Sequence, residues 1–80
     1  MKEIEKKIKK VFSATLRAER ARKNYSQIAL SLESGIDQKY LSYLENGKSV
    51  PSLTILFKIA KALKISAMIF IEEIDNELNK

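Results

Sequence analysis

Gly35 divides the stretch from Ser26 to Lys48, SQIALSLESGIDQKYLSYLENGK, into two short helical segments. The first, SQIALSLES, is centred on Leu30. A glycine just past a helix end is free to take the left-handed conformation that stops it. Asp37 is placed to cap the second segment, QKYLSYLEN, and Gly47 to terminate it. Two helices joined by so short a turn cross at a steep angle, so the first sets the direction of the second.

At 100° per residue, Leu41 and Leu44 of the second segment point one way, with Asp37 close to the same side. Lys39, Ser42, Tyr43 and Asn46 point the other way, and Gln38 sits at the leading edge. That face offers amide, ammonium, hydroxyl and phenol groups and no carboxylate. Amides bond adenine bidentately, and lysine reaches guanine acceptors or phosphate. An ordinary solvated helix face has the same composition, so the face alone decides nothing. Combined with the turn spacing it fits a helix-turn-helix, whose second helix enters the DNA major groove.

Composition narrows the alternatives. Eighty residues make one small domain, expected to span 1–80 without a second ligand-binding module. Apolar residues form 45% of the chain, enough to fold. Cys and His are both absent, which removes disulfides, thiolate or imidazole metal sites and His-based acid–base chemistry. No paired acids, glycine-rich phosphate loop or nucleophile elbow appears. An enzyme is therefore not expected, nor a cofactor or metal. The opening MKEIEKKIKK lacks the apolar run of a secretory signal, and no stretch is long enough to span a bilayer. A cytoplasmic protein is expected.

Charge is unevenly placed. Residues 1–64 hold 14 Lys/Arg against 6 Asp/Glu, or +8, and residues 65–80 hold 1 against 4, or −3. The basic part favours polyanions through counterion release, and the acidic tail is expected away from them.

Strand-like alternation is missing, so the chain reads as all-α with five helices. Helix 1 is expected over about 4–23, with Ile4, Ile8, Val11, Phe12, Thr15 and Leu16 as its buried stripe. It should stop at Asn24, with Ser26 capping helix 2. Ser52 should cap helix 4, whose buried stripe reads Leu53, Leu56, Phe57, Ala60 and Leu63. Helix 5 follows Ser66. The Lys-rich segment 1–11 reads first as an extension of helix 1, because Ile4 and Ile8 continue its stripe. A DNA-contacting arm and a membrane-surface helix are its other readings.

LRAER before helix 2, SQ at its start, the ESG turn, DQKYLSYLENGK and PSLTILFKIAKAL together resemble the lambda-repressor-like helix-turn-helix domains of phage repressors, Cro proteins and small bacterial regulators. The resemblance covers roughly 12–71. It implies a compact five-helix domain that binds operator DNA as a two-fold dimer. It also implies a phosphate-contacting Gln27 at the start of helix 2, where free N–H groups favour anions. Gln38, Lys39 and Ser42 fall where the family reads base edges. Tyr43 lies where a further base or backbone contact is common, and Asn46 and Lys48 match positions near phosphates. Arg20 and Glu45 match a structural salt bridge between helix 1 and the end of helix 3; a solvated Arg20 is the plainer alternative. Tyr40 packs beside Leu41 and Leu44, or its hydroxyl reaches the DNA. Asp37, Tyr40 and Ser42 resemble the pattern of restriction–modification controller proteins.

Three departures from the family stand out. Ser31 replaces its usual alanine. Ile28 and Leu32 are apolar where helix 2 is usually polar, and either pack under helix 1 or meet a partner. Helix 5, within 66–80, carries Met68, Ile69, Phe70, Ile71, Ile74 and Leu78, more than one buried stripe needs. These six are expected to form a dimer interface. A homodimeric transcriptional regulator of double-stranded DNA, with neither membrane nor small-molecule partner, is the expected function. An antitoxin-like module that neutralises a partner protein is the alternative.

Overall fold

The computed structural model describes residues 2–80; Met1, part of the expected extension and of the 1–80 unit, lies outside them. Five helices follow in chain order: α1 Lys2–Arg22, α2 Gln27–Ser34, α3 Gln38–Glu45, α4 Leu53–Leu63 and α5 Met68–Leu78. No strand occurs among the described residues.

Local chemistry sets the helix ends. Ser26 Oγ accepts from the Ala29 N–H at 3.0 Å, Asp37 Oδ2 from Lys39 N–H at 3.1 Å, and Ser52 Oγ from Ile55 N–H at 3.1 Å. Each such cap contributes about 1 kcal/mol. Asn24 takes φ 60°, Gly35 φ 73° and Gly47 φ 69°, the left-handed stops expected at those positions. α4 ends on Lys64 at φ 58°, a left-handed stop that no glycine or asparagine announces.

α1 packs on α5 and α3, while α2 packs on α3 and α4. Phe12 and Leu16 from α1, Leu30 from α2 and Leu41 and Leu44 from α3 are wholly inaccessible. Near its start α1 is less buried than its stripe implies: Ile4 is exposed and Ile8 only partly covered. Farther along α5, the Glu77 carboxyl is held below the usual carboxylate range. Its hydrogen bond and charge attraction to Lys80 are the main cause, and the charges of Lys10 and Lys7 add to them. The Lys-rich segment is itself helical from Lys2 onward.

Two sequence expectations need correction. Phe70, assigned to a dimer interface, is fully buried in its own subunit, its ring centroid 5.1 Å from that of Phe12. It is the bolt between α5 and α1. In α4, Leu53 and Phe57 were expected inside but lie outside, 67% and 56% exposed, while Ile59 and Ala62 are buried. The buried stripe is Leu56, Ile59, Ala60 and Leu63, an i, i+3, i+4, i+7 set. α4 is apolar around more than half its circumference, so periodicity alone did not select the inward edge.

Candidate nucleic-acid interface

The turn between α2 and α3 is Gly35, Ile36 and Asp37. Gly35 N–H donates to Ser31 carbonyl at 2.9 Å, and Ser31 Oγ donates to Ile36 carbonyl at 2.5 Å. Ser34 Oγ accepts from Ile36 N–H at 3.2 Å, and the Ile36 side chain is buried. Ser31, the residue that departs from the family's alanine, therefore supplies a bond across the turn. The turn is held by its own polar groups at one end and by core burial at the other, which fixes where α3 points.

The far end of α3 is held by Glu45. Arg20 Nε donates to Glu45 Oε2 at 2.6 Å and Nη2 to Oε1 at 2.9 Å, a bidentate pair. Arg20 Nη1 donates to the Tyr25 carbonyl at 2.7 Å, and Gln27 Nε2 to Glu45 Oε1 at 3.2 Å. The Glu45 side chain is 4% exposed and that of Arg20 22%. Hydrogen bonding to Glu45 raises the Arg20 pKa above the ordinary arginine value; burial opposes the rise, and the charge of Glu45 adds to it. The only acid within α3 is thereby turned inward and neutralised.

What α3 shows to solvent follows from that anchoring. Gln38, Lys39, Tyr43 and Asn46 are exposed and Ser42 partly so, on the side opposite Leu41 and Leu44. Asn46 Nδ2 donates to Ser42 Oγ at 3.4 Å. Lys48 is exposed just beyond Gly47. The structure thus brings six of the eight sequence-assigned contact residues onto one accessible side of α3 and its following turn. The other two differ. Tyr40 is half-buried and packs against the core, which matches the first of its two readings. Gln27 is half-buried, its amide Nε2 donating to Glu45, at the start of α2 where backbone N–H groups also lack intrahelical acceptors.

Sequence reasoning missed Arg17. Its Nη1 donates to the Glu45 carbonyl at the end of α3, a cation at a helix C-terminus, where the dipole favours it. Arg17 and Arg20 stand three residues apart on one face of α1, which is the signal that pairs them.

Residues 16–70 match the helix-turn-helix family. The chain belongs to that family. Its fold is the lambda-repressor-like one, and the family match spans α2 to α4 but not the first fifteen residues or most of α5. An uncharacterised HTH-type transcriptional regulator of Mycobacterium tuberculosis is 40% identical over 52 residues, 65% of this chain and 37% of its own length. This helix-turn-helix chain thus spans little more than a third of that relative. Among solved structures it is similar to the restriction–modification controller protein C.AhdI from Aeromonas hydrophila, with TM-score 0.73 and 35% identity, covering 75% of this chain and 91% of that one. It is also similar to the clp gene regulator ClgR from Corynebacterium glutamicum, with TM-score 0.80, 28% identity and coverage of 90% and 77%. The restriction–modification controller protein C.Esp1396I gives TM-score 0.74 and 26% identity over 96% of this chain and 94% of its own.

Proposed function

We propose that the protein is a sequence-specific DNA-binding transcriptional regulator, acting as a homodimer on a palindromic operator. One observation carries this: α3 offers solvent a face of amide, ammonium, hydroxyl and phenol groups, its single carboxylate being locked inward by Arg20. Gln38, Lys39 and Ser42 are assigned to base edges, with Tyr43 as a further base or backbone contact. Lys48, Asn46 and the backbone at Gln27 are assigned to phosphates, which set affinity but carry no sequence information. Tyr40 acts from beneath as packing for α3.

The likeness to two controller proteins supports a narrower role in controlling a restriction–modification system. For dimerisation, the exposed part of α5 is Met68, 63% exposed, and Ile71, 39%. Ile69 faces a groove with Ala14, Thr15 and Ala18 of α1, and Ile74 packs on the core. Leu78 is half-buried. Met68 and Ile71 are therefore the centre of the proposed contact. Leu32 and Ile28 on α2, 80% and 58% exposed, favour the second reading, a module that neutralises a partner protein. Selection of bound DNA from a random pool separates the two. Recovery of a palindrome with half-sites about one helical turn apart supports the regulator; no enrichment of any sequence contradicts it.

A further inference from the structure

The outward edge of α4 has no role in the site above. Leu53, Phe57 and Lys61 follow one another at i, i+4 and i+8, with Thr54 and Lys58 beside them. Together they line an open groove of about 420 Å³. Phe57 lies roughly 110° around the helix from the middle of the buried stripe, and it is 56% exposed, so it is not part of the core. An exposed phenylalanine next to an exposed leucine is an apolar patch of the kind that marks an interaction surface. Beside it, Lys58, Lys61 and Lys64 share a second groove with a single acid, Glu33. α4 itself holds no acidic residue.

The same chain carries the complement. On α5, Met68, Ile71, Glu72 and Asp75 fall at i, i+3, i+4 and i+7, one face of the helix. Met68, Ile71, Glu72 and Asp75 are all exposed. α5 holds four acids and no base. Among the described residues, none of Lys58, Lys61, Glu72 and Asp75 takes part in an ion pair within 4.0 Å. Nor do α4 and α5 of one subunit rank among its packed helix pairs, so neither patch is covered by the other within the molecule.

We infer that the occupant of the α4 edge is α5 of a second copy: Leu53 and Phe57 meet Met68 and Ile71 of the other subunit, with Lys58 and Lys61 against Glu72 and Asp75. A two-fold axis makes this contact twice. The pairing rests on the homodimer proposed above and changes its anatomy. α5 does not meet its own symmetry copy alone, and the interface has a charged component that added salt weakens.

Charge reversal tests it. One variant carries Lys58→Glu and Lys61→Glu, the other Glu72→Lys and Asp75→Lys; all four side chains are exposed, and circular dichroism checks the fold. In sedimentation equilibrium each variant alone has like charges at both contacts, and its dimer dissociation constant should rise at least about tenfold over wild type. An equimolar mixture restores opposite charges at both contacts and should regain wild-type dimerisation as the mixed pair. Phe57→Gln, which alters no charge, should also weaken the dimer with helicity unchanged. If wild type is dimeric and the Lys58→Glu, Lys61→Glu protein dimerises equally well, or if mixing restores nothing, the pairing is wrong and the homodimer stands. If wild type is monomeric at micromolar concentration, the homodimer reading falls and the pairing with it.

Discussion

Around α3 the molecule is complete in itself, whereas along the outer edges of α4 and α5 it is not. Near α3, each apolar side chain facing inward is buried, Glu45 is met by Arg20, Gln27 and Arg17 together, and the turn is closed by Ser31 and Ser34. Along α4 and α5, Leu53, Phe57, Met68 and Ile71 face solvent, and among the described residues Lys58, Lys61, Glu72 and Asp75 form no ion pair. A surface meant to read a ligand must be rigid before it binds, because disorder there costs affinity. A surface meant for a second subunit is finished by that subunit. The contrast separates the residues that position α3 from those proposed to bring two copies of it together.

Two phenylalanines give the largest expected difference. Phe70→Ala empties a fully buried site against Phe12 and should lower the stability of the fold by about 3–5 kcal/mol in denaturant titration. Phe57→Ala, measured on monomer at low concentration, should stay within about 0.5 kcal/mol. Equal losses in the two would erase the distinction between core and edge. Arg20→Ala leaves a buried carboxylate uncompensated and should also cost about 3–5 kcal/mol. A loss under 1 kcal/mol would mean that the pair behaves as a surface ion pair and does not fix α3.

Much of this was legible in the chain, and the reasons differ by region. Caps and left-handed stops are local: Ser26, Gly35, Asp37, Gly47 and Ser52 each act within a few residues of themselves, so their chemistry can be read in place. α3 was legible because its apolar residues, Leu41 and Leu44, occupy one side only. α4 was not, because eight of its eleven residues, LTILFKIAKAL, are apolar. Only tertiary packing chose Ile59 over Phe57. Phe70 was misplaced for the same reason: α5 is apolar on two flanks, and its partner Phe12 lies 58 positions earlier in the chain. Arg17 went unassigned because its acceptor is a backbone carbonyl: its spacing from Arg20 places it on the right face of α1 but does not name that acceptor.

Smaller effects sharpen the comparison further. Ser26→Ala removes the α2 cap and should cost about 1 kcal/mol of stability without altering which sequence is bound. Lys48→Ala should weaken binding to all sequences alike and reduce the log–log salt slope by about 0.9. A change in sequence preference at Lys48→Ala would move that residue from the phosphates to the bases.

The proposed function depends most directly on what α3 reads. Random-pool selection should be run side by side on wild type, Gln38→Ala and Lys39→Ala. Wild type should yield a palindrome, and each variant should lose preference at one or two positions in each half-site, worth about 1–3 kcal/mol of discrimination there. Recovery of the unchanged wild-type motif by both variants would contradict α3 as the reader.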